Sequence, residues 1–268
     1  MERRVFESLG GECELFAVGV DAEALAAAES WIHRMHDRLT RFEPGSEVSR
    51  LNASRGRWLA ISPELEALLR ESLRAYEVSD GLVNVAVLPA LLAAGYTRDY
   101  AAGPTAPEVP PQIRPLTEVL HLRPGEARLV QGGAVDLGGI AKGWLADRIA
   151  ERLGENVLVN LCGDLFARGS GETGEGWPVG FGDRTLLLKD LGAATSGTTK
   201  RSWEGGHHLI DPRTGLPAQS DLSEVSVLAS CATDAEIYAK VALLLGSRDA
   251  PAWLEGRSQG WSFTQGGQ

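Results

Sequence analysis

Long hydrophobic runs are missing from this 268-residue chain: no stretch of eighteen apolar residues occurs, so no membrane span is expected. The opening residues, MERRVFESLGGECELFAVGV, mix polar and apolar side chains without a continuous apolar core. They are not read as a secretory signal. Cysteine is scarce, with only Cys13, Cys162 and Cys231, no two of them close in sequence. That excludes a disulfide framework, argues against a zinc site, and points to reduced, buried thiols and a cytoplasmic location. Positive charge is short as well: 26 Lys and Arg against 36 Asp and Glu leave a net charge of -10. No nucleic-acid partner is expected, because phosphate backbones need a basic surface. A local cluster of positive charge could still hold a small anion. There is no repeat of fixed period, no Walker A loop and no GxGxxG. No heptad or strongly apolar exposed patch fixes an oligomeric state.

What is present is an ordinary globular mixture, 43% hydrophobic and 23% charged, long enough for a sizeable core. One large domain or two intimate ones both fit the length. Residues 4–20 read as one or two strands around Gly10 and Gly11. Asp21 then caps a helix whose buried face is Leu25, Ala28, Ile32, Met35 and Leu39, with His33 and His36 off that face in solvent. Ser62 and Pro63 open a second helix with Leu65, Leu68, Leu69 and Leu73 inward. Residues 101–115 hold five prolines and read as a surface loop. Strands are expected near 118–122, 127–131, 156–161, 164–169, 177–181 and 223–229. Helices are expected over 139–153, with Gly154 as its C-cap, and over a last segment ending at Gly246. A terminal strand that frays closes the chain. Strands and helices mix without a regular βαβ rhythm, which predicts an α+β fold.

Three short stretches carry possible chemistry. In VDLGGIAKGW, Gly138 and Gly139 precede Lys142 at the start of a helix. Bare amides and the positive helix end suit an anion such as a pyrophosphate, which would also offset the unfavourable lysine. Asp136 could accept from a base or ribose, or cap the turn. A plain tight turn with Lys142 in water is the other reading. In HHLIDPRTG, Pro212 and Gly215 fit a hairpin turn capped by Asp211. His208 in the same stretch could serve as a general base. In ATSGTTKRSW, small hydroxyl residues beside Gly197, Ser196 among them, suit a close ligand or an ordinary strand-to-loop transition.

Taken together, SLGGECEL, RFEPGSEVSRLN, SDGLVNVAVLPALLAAGY, VDLGGIAKGWLAD, VNLCGDLFARG, ATSG and HHLIDPRTG resemble the ApbE family of FAD:protein FMN transferases, once linked to thiamine biosynthesis. The resemblance covers nearly the whole of residues 1–268, read as one flavin transferase domain or two intimate subdomains. It implies an α+β fold related to the tunnelling fold, with antiparallel sheets, packed helices and a ligand cleft for FAD. It implies an enzyme that splits the FAD pyrophosphate with Mg²⁺, transfers FMN to a Thr or Ser of a target flavoprotein and releases AMP. A FAD pyrophosphatase, or a FAD-binding protein without the chemistry, are its alternatives.

The resemblance also assigns residues. Leu9, Phe42, Leu82, Val83, Asn84, Asp136, Gly138, Gly139, Lys142, Ser196, Leu209 and Ile210 would contact the cofactor. His208 would take the proton of the incoming hydroxyl, with Asp211 in the same catalytic segment. The Gly139 carbonyl would be a metal ligand. The family's last helix carries an aspartate and, four residues on, a threonine as metal ligands. Here Glu236 and Lys240 stand at those positions, on one helix face. The expectation is that Lys240 assumes part of the charge-neutralising role, held by Glu236, and that Mg²⁺ dependence is weak or altered. Gly11, Asn84 and Cys162 are further departures from the family pattern.

Overall fold

The computed structural model describes residues 1–266. It resolves into two compact units, the described residues 1–36, 140–197 and 221–266 forming the first and 37–139 with 198–220 the second. The expected fraying end falls at residues 267–268, outside the described residues.

The first unit is built on a seven-stranded sheet. Its strands are β1 (Glu2–Ser8), β2 (Gly11–Ala17), β3 (Val157–Leu161), β4 (Asp164–Arg168), β5 (Leu191–Gly197), β6 (Leu222–Ala229) and β7 (Gly260–Gln265). They lie in chain order across the sheet, each antiparallel to its neighbours. One face is covered by a hairpin, Trp177–Phe181 with Arg184–Leu188. Trp177, Val179 and Leu188 from that hairpin pack on Leu158, Leu165, Ala193 and Leu228. Against β3 to β6 lie two helices, α2 (Ala141–Leu153) and α3 (Ala232–Leu254), α1 being Ala22–Leu39.

The close approach of α3 to β5 explains the small residues there. A Cβ on Gly192 would stand 2.2 Å from the Ala232 nitrogen, and Ala194, Ala229 and Ala235 form the adjoining cluster. Those small residues lack the β-branched signature of a strand, and β5 is an ordered central strand where the sequence suggests a close ligand or a strand-to-loop transition.

Helix α1 behaves as its periodicity demands. Leu25, Ala28, Ile32, Met35 and Leu39 are buried and Asp21 Oδ1 accepts from the Ala24 amide at 2.8 Å. His33 and His36 differ from expectation: both are half-buried, the His33 ring 5.4 Å from that of Phe6. α2 begins at Ala141, two residues later than expected, since Ile140 adopts the non-helical N-cap conformation. α3 breaks at Gly246, where φ is 76°, and helix then resumes to Leu254.

The second unit holds the helix Pro63–Val78, capped by Ser62, and a three-stranded antiparallel sheet of Leu59–Ala60, Glu126–Leu129 and Leu120–Arg123. Two short hairpins complete it, Ser202–Trp203 with Gly206–His207 and Ile210–Asp211 with Leu216–Pro217. Its apolar cluster joins Leu88, Ala90, Leu91, Tyr96 and Ile210, with Phe42 and Trp203 against it.

Candidate functional site

In the first unit a buried charge cluster forms where α2, α3 and β4 meet. Lys142 sits in the first turn of α2, where a cation opposes the helix dipole. The structure resolves that conflict with Asp164, at the start of β4, which forms an ion pair with the Lys142 Nζ. The Asp164 side chain is 2% exposed and that of Lys142 19%. Burial alone would push the ammonium toward neutrality, but Asp164 and then Glu236 outweigh it and hold the Lys142 pKa above its ordinary value.

Glu236 projects from α3, and its Oε2 accepts from the Gly143 amide at 2.8 Å. Burial, then the neighbouring Asp164, push its carboxyl up to about 7, against the lowering pull of Lys142 and Lys240. Lys240 follows one turn later, half-buried. Gly143 is what permits this meeting of helices: a Cβ there would stand 2.5 Å from the Ala232 oxygen. α3 itself is anchored by Asp147 of α2, whose carboxylate accepts from the Ala232 amide at 2.8 Å and the Thr233 amide at 3.0 Å. Burial raises the Asp147 pKa, partly opposed by those hydrogen bonds. Of the other expected residues in this unit, Ser196 lies half-buried in β5. Leu9 stands in the β1–β2 turn with a left-handed φ of 56°.

In the second unit Asp136 is the organising acid. Its Oδ1 accepts from the Gly138 amide at 2.9 Å and its Oδ2 from Arg41 Nε at 2.6 Å. Of the two readings of Asp136, a ligand contact or a cap on its own turn, the structure shows the cap, so the Gly138 amide expected to be bare is taken by an Asx turn. Arg41, 6% exposed, lies 4.2 Å over the Phe42 ring and 4.6 Å over the Tyr96 ring. Its Nη2 donates to the Tyr96 carbonyl at 2.8 Å. Tyr96 in turn packs on Trp203, their centroids 5.7 Å apart. Burial pushes the Tyr96 phenol upward.

The segment of Leu82, Val83 and Asn84 runs alongside, joined by the Asp136 amide to the Val85 carbonyl at 2.8 Å. Both ends of the Asn84 amide are structural: Oδ1 accepts from the Ala86 amide at 2.9 Å and Nδ2 donates to the Arg114 carbonyl at 3.0 Å.

The hairpin reading of HHLIDPRTG holds in its backbone. Asp211 Oδ1 accepts from the Arg213 amide at 2.9 Å, and Gly215 takes a φ of 73°. The Asp211 carboxylate is gripped by the Arg213 guanidinium, Nη2 at 2.7 Å. His208 is half-buried, its Nδ1 3.2 Å from the Arg201 carbonyl, while Leu209 and Ile210 are buried. The adjacent His207 has its pKa pushed down by burial.

Magnesium requires several oxygen donors with available lone pairs in near-octahedral geometry. Around Glu236 the first unit offers the opposite: one carboxylate oxygen engaged by a backbone amide, Asp164 covered by an ammonium, and a second ammonium on Lys240. Among the described residues no group of three or more His, Cys, Asp and Glu could hold a metal ion. The metal role that the resemblance gives to Gly139 and Glu236 does not fit this donor set.

The structure thus draws together Lys142, Glu236 and Lys240 in one unit, and in the other Phe42 and Ile210 around Tyr96, with Asp136 joining Arg41 to the Gly138 amide. The sequence reading missed Asp164 and Arg41. Asp164 carried one signal, an acid directly after a glycine turn at a strand start; Arg41, beside Phe42, carried none.

These features define an α+β protein with an antiparallel sheet and a buried acid–ammonium cluster beneath its helices. The chain belongs to the ApbE family, whose model matches residues 9–263. It is 32% identical over 244 residues to the FAD:protein FMN transferase of Treponema pallidum, covering 78% of this chain and 67% of the relative. It is 30% identical over 258 residues to that of Klebsiella pneumoniae, covering 88% and 80%. Its fold is that of the flavinyl transferase ApbE of Pseudomonas stutzeri, with a TM-score of 0.83 at 20% identity, covering 98% of this chain and 94% of the other. The ApbE protein of Thermotoga maritima superposes with a TM-score of 0.82 at 23% identity, covering 98% and 96%.

Proposed function

We propose that this protein is a FAD:protein FMN transferase: it cleaves the pyrophosphate of FAD, attaches FMN to a Thr or Ser hydroxyl of a target flavoprotein and releases AMP. Membership of a family whose curated relatives carry that name supports the reading, and the buried Lys142 ammonium is the observation in this chain that carries it. Phosphoryl transfer asks mainly for positioning and for positive charge where negative charge develops. Lys142, kept charged by Asp164 and Glu236, supplies such a charge. Lys240 adds a second beside Glu236. In this reading the two ammonium groups assume the neutralising role that a divalent cation would otherwise have, and no step depends on Mg²⁺.

The remaining roles are part of the same proposal. His208 takes the proton of the attacking hydroxyl. Asp211, locked by Arg213, fixes the hairpin that presents His208. Phe42, Leu209, Ile210, Leu82 and Val83 give apolar contact to the flavin nucleotide, while Leu9, Asn84, Asp136, Gly138, Gly139 and Ser196 line its polar parts. A cytoplasmic location is part of the same proposal, and cell fractionation tests it.

A second reading, FAD binding without turnover, is favoured by one observation: Asp164 already engages Lys142, and Asp136 already engages the Gly138 amide. Incubation with FAD and a co-expressed flavoprotein, followed by chromatography and mass spectrometry, separates the readings. Covalent FMN on the partner with AMP released supports transfer. FMN and AMP without a labelled partner indicate hydrolysis, and intact bound FAD indicates storage.

A further inference from the structure

Two of the three cysteines, 149 residues apart in sequence, meet at one end of the sheet, with Sγ atoms 3.8 Å apart. Cys13 lies in β2, fully buried, and Cys162 occupies the β3–β4 turn, half-buried. Both thiols face the Ser8 carbonyl, at 3.6 Å and 3.4 Å. The third, Cys231, caps α3 and receives the Asp234 amide at 3.4 Å.

The backbone makes Cys162 unusual. It has a left-handed φ of 59° and is followed by Gly163 at 98°, a two-residue hairpin turn in which both central positions favour Gly, Asn or Asp. A cysteine at such a position carries a backbone cost that packing alone does not explain. Room for its thiol comes from Gly11, where a Cβ would stand 3.4 Å from the Cys162 sulfur. The turn also leads straight into the charge cluster, for only Gly163 separates Cys162 from Asp164, the partner of Lys142.

We propose that Cys13 and Cys162 are a redox-active dithiol that closes reversibly to an intrachain disulfide and, in closing, displaces the turn that carries Asp164. A disulfide needs an S–S separation of about 2.05 Å, so the two sulfurs must draw together by nearly 2 Å. The oxidant class is a low-molecular-weight disulfide. The more exposed Cys162, as thiolate, attacks one sulfur of that disulfide; its S–S bond breaks and one small thiol leaves. Cys13 then gives up its proton and attacks the Cys162 sulfur, expelling the second small thiol. Two protein thiols are oxidised, one small disulfide is reduced to two thiols, and the two thiol protons end on those products. Its hydrogen bond to Cys162, and then burial, hold the Cys13 thiol well above its ordinary pKa, so Cys13 is the resolving partner.

The test uses the full chain and oxidised glutathione as probe. Reduced protein is equilibrated with it, acid-quenched, alkylated and weighed, and its peptides are mapped. The expected result is one alkylatable thiol, Cys231, and a peptide pair joining Cys13 to Cys162 that dithiothreitol separates. Cys13→Ser is expected to stop at a stable glutathione adduct on Cys162, and Cys231→Ala to leave the pair's behaviour unchanged. Wild-type protein that stops at the Cys162 adduct, links between chains, or keeps all three thiols overturns the pairing. Hydrogen exchange of the peptide spanning 160–166 reads the second half: it is expected to change when the disulfide closes in wild type and to return when dithiothreitol reopens it. Unchanged exchange in a fully disulfide-bonded sample overturns the displacement of the Asp164 turn.

Discussion

The Gly143 amide donates to Glu236 Oε2 at 2.8 Å, so α2 and α3 are joined at their crossing by a buried carboxylate and not by apolar packing alone. That carboxylate, Asp164 and the ammonium groups of Lys142 and Lys240 form the first unit's charge cluster, and the account of function rests on their balance.

Removing Lys142 is expected to affect both folding and activity. Lys142→Met leaves Asp164 and Glu236 buried without their principal counter-charge, a change that costs about 3–5 kcal/mol when a buried pair is broken from one side. A lower thermal midpoint and loss of AMP release from FAD are expected. Lys142→Met with Asp164→Asn should recover much of the stability and none of the activity; recovery of activity would contradict the role given to the ammonium.

Gly143→Ala should be harmful despite alanine's better helix propensity. Its Cβ would stand 2.5 Å from the Ala232 oxygen and 3.0 Å from the Thr233 Cα, both backbone atoms that cannot step aside. The helices must separate, with a cost of about 1–3 kcal/mol, and the Glu236 hydrogen bond is lost with them. Chemical denaturation of the variant reads this directly.

Stability should fall as pH rises through weak acid. The Glu236 carboxyl is pushed from its ordinary value of 4.5 up to about 7, by burial first and Asp164 second. Between those values the folded state holds a proton that the unfolded state has released, so raising pH favours unfolding. The stabilising contribution is complete below the lower value and lost through the upper one. Glu236→Gln should flatten this part of the stability–pH profile, as measured by urea midpoints; an unchanged slope would place the titration elsewhere.

Asp147→Ala should destabilise the chain without touching the charge cluster's own residues. Its carboxylate accepts the Ala232 and Thr233 amides that open α3. A lost cap with buried amides left over costs about 1–3 kcal/mol. The helix that carries Glu236 should show faster hydrogen exchange in its first turn, and Asp147→Asn should restore part of the protection.

Much of the frame was legible because it depends on local pattern. The apolar spacing of α1, the Ser62–Pro63 opening and the Gly154 stop are short-range signals, and each holds in the structure. β5 does not read as a strand in the sequence because α3 crosses so near that glycine and alanine replace the usual strand residues, a demand set by packing and invisible along the chain. The Arg184–Leu188 strand, which pairs only with its own hairpin partner, was missed as well. The site divides the same way. Lys142 could be named from helix position, and Glu236 and Lys240 from the resemblance to the family, but the partners that decide their charge states could not. Asp164 pairs with Lys142 across 22 residues and Arg41 with Asp136 across 95, distances at which sequence spacing carries no geometry. The amide of Gly138 was expected to be open; Asp136 closes it, a competition between a side chain and a ligand for the same donor.

Lys240 stands where the resemblance to the family would put a metal-binding threonine. Lys240→Met should lower AMP release by about 10²-fold if its charge faces the developing negative charge, with thermal stability little changed.

The most direct measurement is AMP release from FAD, with an acceptor flavoprotein present, in buffer stripped of divalent cations and held in excess chelator. AMP is expected to form under these conditions in wild type and to vanish in Lys142→Met. AMP that appears only when Mg²⁺ is restored would contradict the claim that this chain's own ammonium groups neutralise the pyrophosphate.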